Sequence, residues 1–227
     1  EHGERGRELS MIEVIEQINA VRRRIGTRVL EAGEAHTVII SQVYAAPVAD
    51  VWDACTNPGR IPRWFVPVSG DLRAGGRFQI EGNASGTVER CDPPRGFTAT
   101  WEFGGQTSWI EVSLTAEPDG RTRLEIEHIA PPGDGTWAEF GPGAVGVGWD
   151  MALMGLATHL TSGASLNPQD GPAWMASASG REFITLSSQY WRDADLVAGT
   201  GLAAAQAAAD RTTAAYTGAP GDAGAGG

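Results

Sequence analysis

The stretch GFTATWEFGGQTSWIEVSLTAEPDGRTRLEIEHI, residues 96–129, decides the fold. Its side chains alternate with a period of two. Phe97, Ala99, Trp101 and Phe103 share one face of the first run, Ile110, Val112 and Leu114 one face of the second, and Leu124, Ile126 and His128 one face of the third. Successive side chains of a strand point to opposite sides of a sheet, so each run presents one apolar face. The opposite face carries Thr98, Thr100, Glu102, Glu111, Ser113, Arg123, Glu125 and Glu127. Gly104-Gly105 and Pro118-Asp119-Gly120 punctuate the runs, and connections this short join antiparallel neighbours. The sheet is therefore apolar on one side and wet on the other. Another element must cover the apolar side.

Downstream, Pro131-Pro132-Gly133 breaks the sheet and a long apolar helix is predicted over Val145 to Thr161, closed by Gly163. Trp149, Leu153, Leu156 and Leu160 form one stripe on it, and Gly148, Ala152 and Gly155 an adjoining strip of small residues. Small residues on a covering helix either permit close backbone approach or leave room beneath it, and the pattern does not choose. Two further helices are predicted, Gly180 to Ala194 and Gly201 to Tyr216.

Upstream, Arg77 to Glu81 and Gly86 to Cys91 read as two more strands. Ala35 to Ala46 is rich in β-branched residues and reads as a strand ended by Pro47. Two short helices are placed after it, Val48 to Cys55 and a second opened by Asn57-Pro58 and running to Trp64. Met11 to Ile25 carries Met11, Val14, Ile15, Ile18, Val21 and Ile25 at helical spacing and is predicted to be one amphipathic helix stopped by Gly26. Its apolar face needs a partner, either the helices after Gly180 of its own chain or those of a second copy in a homodimer through the terminal helices. The resulting division is a helical extension at 1–34, a core domain at 35–163, a helical extension at 164–216 and a disordered tail at 217–227. Met11 is a candidate start, with residues 1–10 ahead of it.

The bulk numbers bound the function. The chain has 227 residues, 41% hydrophobic and 20% charged, and a formal net charge of -11. That charge repels nucleic-acid phosphates and anionic membrane surfaces, so neither is an expected partner. No apolar run reaches the ~18 residues of a membrane span, and the polar Glu1–Ser10 stretch does not read as a signal peptide. The two cysteines, Cys55 and Cys91, have no ligand-spaced partners. They read as reduced thiols of a cytoplasmic protein, with no metal and no cofactor expected. Every basic residue is arginine, a compositional bias without a mechanism.

The order strand, two short helices, strand meander, long helix resembles the helix-grip fold of the START-like, birch-pollen-allergen-like superfamily, also called SRPBCC. The local motifs are similar to the branch of heat-shock-chaperone ATPase activator homologues. They are Ala46-Pro47 with Val51-Trp52, Asn57-Pro58 with Trp64, Asp71-Leu72-Arg73 before Gly75-Gly76-Arg77-Phe78, Gly86, Val88 and Pro93, Trp101, His128, and Gly148-Trp149. The resemblance covers about residues 35 to 163 and implies an α+β chain, a curved antiparallel sheet wrapped on a long helix, here with extra N- and C-terminal helices. Similar extended forms occur among actinobacterial members. The fold hosts lipid carriers, polyketide cyclases, hormone receptors and co-chaperones, so it does not name an activity.

The candidate residues follow from the faces. Trp101, Phe103, Ile110, Val112, Leu124, Ile126, Trp149, Leu153 and Leu156 are expected to line a space for a small apolar molecule, although core packing explains such positions equally well. Arg90 shares a face with Gly86 and Val88 by alternation, which would turn it inward towards an anionic ligand; an exterior place near a strand end is the other reading. His128, on the apolar face, is either an acid/base or ligand-orienting imidazole or a histidine satisfied at the core edge. His159 faces either the cavity or the C-terminal helices, or is a structural helix-end histidine. Glu125 and Glu127 share the wet face as a solvated pair. The glycines of 141–148 lack the Lys-Ser/Thr ending of a phosphate loop and read as a flexible lead-in to the long helix. Three functions remain: binding of a small, largely apolar molecule in an internal cavity, a cyclase, dehydratase or hydrolase using that cavity with His128 as acid/base, and a co-chaperone-like interaction protein.

Overall fold

A computed structural model describes residues 11–165, 167 and 170–218. Residues 1–10 and most of the tail assigned to 217–227 lie outside the described residues; Thr217 itself still belongs to the last helix. Eight strands form one antiparallel sheet in the order β1-β2-β8-β7-β6-β5-β4-β3. They are β1 (Val21–Leu30), β2 (Gly33–Tyr44), β3 (Val68–Gly70), β4 (Arg77–Ile80), β5 (Ser85–Asp92), β6 (Gly96–Phe103), β7 (Gln106–Ala116) and β8 (Thr122–Ile129). The helices are α1 (Met11–Ala20), α2 (Val48–Thr56), α3 (Gly135–Phe140), α4 (Gly143–Ser162), α5 (Gly171–Ala176), α6 (Ala178–Val197) and α7 (Leu202–Thr217). This is the α+β helix-grip architecture. No helix among the described residues is long and apolar enough to cross a membrane.

The meander keeps the register that alternation requires. Val112 faces Phe97 on one side and Ile126 on the other, and Ile110 lies between Ala99 and His128. Leu114 and Leu124 are opposite each other. A single apolar face runs across these strands, and α4 lies on it, contributing Val147, Leu153 and Leu156 to a core shared with Ile40, Leu124 and Ile126. Gly163 ends α4 in the left-handed region at φ 68, donating its N–H to the His159 carbonyl at 2.8 Å. The helix starts at Gly143, so the glycine-rich lead-in is its first turns. A Cβ at Gly143 would meet Thr212 of α7, and one at Gly146 would come within 2.4 Å of the Trp191 indole nitrogen of α6. Gly148 faces the Tyr216 hydroxyl. Only Ala152 of the small strip borders the space under the helix. Gly148 serves close approach of the C-terminal layer.

Three local expectations are corrected. The helix placed over 11–25 ends at Ala20, and Val21–Leu30 is a sheet strand paired in full register with β2, from Val21↔Gln42 to Leu30↔Gly33. Val21 and Ile25 are four residues apart, a spacing that satisfies both a helical face and a strand face. The two-residue turn before Gly33 lets the chain fold back as a hairpin, and ladder bonds then outweigh helical propensity. The helix expected from Asn57 to Trp64 shrinks to a 3₁₀ turn at Ile61–Arg63. Pro62 removes a backbone donor there and biases Ile61 away from helix. Finally, Glu125 and Glu127 are not merely solvated. Each pairs with an arginine of β1, Glu125 with Arg24 at 3.3 Å and Glu127 with Arg28 at 2.5 Å.

Two residues of the apolar face of α1 are buried in its own chain: Val14 and Ile18 pack on Phe183 of α6, while Ile15 stays exposed. Where α1 gives way to β1, Arg23 turns inward and meets Asp150 of α4. Its Nε and Nη2 donate to the two carboxylate oxygens at 3.0 and 2.7 Å. The side chains are 3% and 0% exposed. Ser187 Oγ and Trp191 Nε1, both of α6, donate to the same carboxylate at 2.6 and 2.9 Å. The Arg23 Nη1 donates to the Ile18 and Val21 carbonyls, and the guanidinium lies over the Tyr190 ring at 5.1 Å. Removing one partner of such a pair leaves an uncompensated buried charge. Arg23→Met or Asp150→Asn is therefore expected to cost about 3–5 kcal/mol of unfolding free energy. Urea titration checks this, and a loss below about 1 kcal/mol, the range of a surface pair, would contradict it.

Candidate functional site

A pocket of about 360 Å³ lies between the sheet and α4. Eight of the anticipated residues border it: Trp101, Ile110, Val112, Leu124 and Ile126 from the sheet, and Trp149, Leu153 and Leu156 from α4. They meet there because β6, β7 and β8 hold strict register and because positions 149, 153 and 156 recur on one face of a helix. A wall that the sequence did not disclose comes from α2 and the 3₁₀ turn, with Trp52, Cys55, Thr56, Ile61, Trp64 and Phe65. Phe78, Ile80 and Val88 of β4 and β5 close the far side. The segment 48–66 carries no periodicity long enough to show which way it faces. Its one legible signal is the density of tryptophan and phenylalanine beside Asn57-Pro58.

Two anticipated residues are elsewhere. Phe103 lies on the predicted face but is 60% exposed and does not border the pocket. It sits at the last position of β6, beside the Gly104-Gly105 turn and opposite Gln106. Alternation predicted its side but not that the strand end lacks cover. Arg90 is exposed on the outer face. Val88 pairs with Ala99, but Arg90 pairs with Thr98, so an extra residue is inserted between them. This β-bulge inverts the alternation. Arg90 joins the outer face near Glu111, and Cys91, paired with Phe97, borders the pocket in its place.

His128 is 4% exposed and does not border the pocket either. It stands behind the tryptophan wall, with ring centroids 6.0 Å from Trp101 and 6.1 Å from Trp149. The Trp149 Nε1–H donates to His128 Nδ1 at 3.1 Å. An indole nitrogen only donates, so Nδ1 is unprotonated and the neutral ring carries its hydrogen on Nε2. Nε2–H donates to Ser108 Oγ at 2.8 Å, and Ser108 donates onward to the Trp101 carbonyl at 3.2 Å. Both ring nitrogens are engaged, so the acid/base role anticipated for His128 has no free nitrogen to act through. Burial pushes the imidazole down to about 4, a shift that the Asp134 carboxylate opposes. The ring holds the wall in place.

His159 is a helix-end clip rather than a cavity residue. Arg60 Nε donates to its Nε2 at 3.0 Å, which leaves Nδ1–H to donate to the Ala164 carbonyl at 3.0 Å. Arg60 also binds Asp50 and Asp53 through Nη1 at 2.6 and 3.1 Å, tying the α2 wall to the end of α4. Trp64 Nε1 donates to the Ala54 carbonyl at 2.8 Å. The pocket border contains no Asp, Glu, Arg or His. Its titratable groups are the thiols of Cys55 and Cys91, and burial pushes the Cys55 thiol up to about 12, where it stays neutral. Among the described residues, no group of three or more His, Cys, Asp and Glu can hold a metal ion.

Comparison with known proteins gives the same fold. Residues 45–161 match the family described as Activator of Hsp90 ATPase homolog 1-like protein. The crystal structure of CalU16 from Micromonospora echinospora is 37% identical over 80% of this chain and 99% of that chain, with a TM-score of 0.62. Its solution NMR structure is 39% identical over 80% and 97%, with a TM-score of 0.64. The likeness to CalU16 reaches beyond the family match. A conserved protein of unknown function, EF2215 from Enterococcus faecalis, shares the fold at 13% identity over 78% and 92% of the two chains, with a TM-score of 0.54. No curated protein matches the chain.

The His128 geometry gives a pH dependence. Its folded value near 4 lies below the ordinary value of about 6.5. Between these values the unfolded chain binds a proton that the folded chain refuses, so this contribution to stability is present above pH ~6.5 and is lost as pH falls towards 4. Its size is on the order of 3 kcal/mol. Denaturant titrations from pH 7 to 4 are expected to show a smaller loss for His128→Gln than for the unchanged protein. Equal losses would show that His128 titrates normally.

Proposed function

The chain belongs to the family of Activator of Hsp90 ATPase homolog 1-like proteins, and we propose that it binds a small, largely apolar molecule in the pocket between its sheet and α4. The observation that carries this reading is the pocket border: aliphatic and aromatic side chains apart from Thr56 and the thiols of Cys55 and Cys91, with no Asp, Glu, Arg or His among them. Pockets of about 300–1,000 Å³ with apolar walls are the usual form of a small-molecule site. Each Å² of apolar ligand surface withdrawn from water there contributes roughly 25 cal/mol.

Binding is favoured over catalysis for a specific reason. General acid–base work needs a titratable group within reach of the substrate. The imidazole of His128 is committed to Trp149 and Ser108, and the Cys55 thiol is held neutral. A carrier, sequestering or sensing role needs neither. A cytoplasmic setting is part of this reading, in keeping with two unbridged cysteines.

Native mass spectrometry of the purified protein tests for a retained ligand. For affinity, the neutral fluorescent probe N-phenyl-1-naphthylamine is titrated against three variants. Ala152→Trp places an indole in the pocket and is expected to weaken binding at least tenfold, equivalent to about 1.4 kcal/mol, while the thermal transition remains cooperative. Phe103→Ser and Arg90→Ala lie off the pocket and are expected to change affinity by less than about twofold, as surface substitutions away from a site do. A folded Ala152→Trp protein that binds as well as the unchanged one would refute the pocket as the site.

A further inference from the structure

The border of the pocket contains four tryptophans, and their indole N–H groups differ in state. Trp64 donates to the Ala54 carbonyl and Trp149 to His128 Nδ1. The indole N–H groups of Trp52 and Trp101 have no hydrogen-bond partner among the described residues. They are not sealed in the core either: the buried side-chain polar atoms left without a partner are Thr37 Oγ1 and Ser188 Oγ. The N–H groups of Trp52 and Trp101 are therefore accessible donors on residues that face the pocket.

Side-chain acceptors on the border are scarcer. The Thr56 hydroxyl donates its proton to the Trp52 carbonyl at 2.7 Å, so its oxygen can only accept. The remaining polar side-chain atoms of the border are the sulfurs of Cys55 and Cys91, which donate and accept weakly. A carboxylate would find no arginine, lysine or histidine to offset its desolvation. For the proton of a ligand hydroxyl or amine, the border side chains offer one strong acceptor, the Thr56 oxygen, and away from it that donor is buried at the cost of an unmade hydrogen bond. A neutral oxygen that only accepts meets the two free indoles without such a cost. The tryptophan faces also favour flat rings, which stack or meet them edge-on. Trp101 and Trp149 already stand as a tilted pair with centroids 5.3 Å apart, and Trp52 meets Phe97 edge-on at 6.4 Å.

We infer that the pocket selects neutral, planar aromatic ketones or quinone-like compounds, whose carbonyl oxygen accepts from Trp52 or Trp101. This rests on the reading of the pocket as a small-molecule site and names the ligand class for it. The consequence is a specificity order: aryl ketone above the parent hydrocarbon, and hydrocarbon above the corresponding carboxylate.

Three probes of nearly one shape test it with the full chain: 9-fluorenone, fluorene and fluorene-9-carboxylate, each competed against N-phenyl-1-naphthylamine. Fluorenone is expected to bind about tenfold more tightly than fluorene, the worth of one net hydrogen bond. The carboxylate is expected to bind at least tenfold more weakly than fluorene. Infrared spectra of bound fluorenone are expected to show its carbonyl stretch shifted to lower wavenumber than in an apolar solvent. Replacing the donors in Trp52→Phe/Trp101→Phe should erase the preference for fluorenone while fluorene still binds. Equal affinity for fluorene and fluorenone, an unshifted carbonyl stretch, or tightest binding of the carboxylate would overturn this inference and leave the small-molecule site standing. Failure of both neutral probes to displace the dye would instead overturn the site itself.

Discussion

A carboxylate sealed from water in the middle of a packed helix sets the arrangement of the chain. Asp150 is fully buried, and a lone ionised carboxylate in that position would be untenable. Arg23, Ser187 and Trp191 together satisfy it, and they come from β1 and α6. The edge strand, the covering helix and the C-terminal layer are thereby locked to one point. The glycine at 146 belongs to the same constraint, since it lets Trp191 of α6 approach closely enough for its bond to form, while Gly143 admits Thr212 of α7.

With its outer side committed in this way, α4 is free to use its other side for the pocket. Gly143, Gly146 and Asp150 recur at helical spacing on one stripe, and Trp149, Leu153 and Leu156 on another. The first stripe works by close approach and hydrogen bonding, the second by apolar surface. His128 then adds stiffness where the second stripe meets the sheet, because its tautomer is dictated by the indole of Trp149. A histidine on the apolar face thus serves the shape of the wall. The wall in turn leaves the donors of Trp52 and Trp101 unspent.

How much of this was legible in the residues differs from one element to the next. Strand faces over 97–128 were readable because alternation is a property of each strand alone. Alternation alone left Arg90 open between an inward and an exterior place, and the exterior one holds, since one inserted residue between Val88 and Arg90 inverts the pattern and leaves no mark in composition. It placed Phe103 on the correct side but could not show that nothing covers that strand end. The spacing of Val21 and Ile25 satisfies helix and strand alike, and the decision passed to pairing with β2. Nothing near Asp150 in the apolar run of α4 signals its role, for its partner Arg23 lies 127 positions away in the chain.

The sequence by itself determined the alternating sheet, the long helix, the apolar character of the surfaces between them, and the family resemblance through ordered motifs. These follow from backbone geometry and side-chain spacing, which act over a few residues. Tertiary structure alone decided which donors remain free, which histidine nitrogens are engaged, and that α2 supplies the third wall of the pocket. Those properties depend on which distant groups meet. Hydrogen bonding is pairwise and short-ranged, so a residue's chemistry stays open until the chain has brought its partner, or failed to bring one, within about 3 Å.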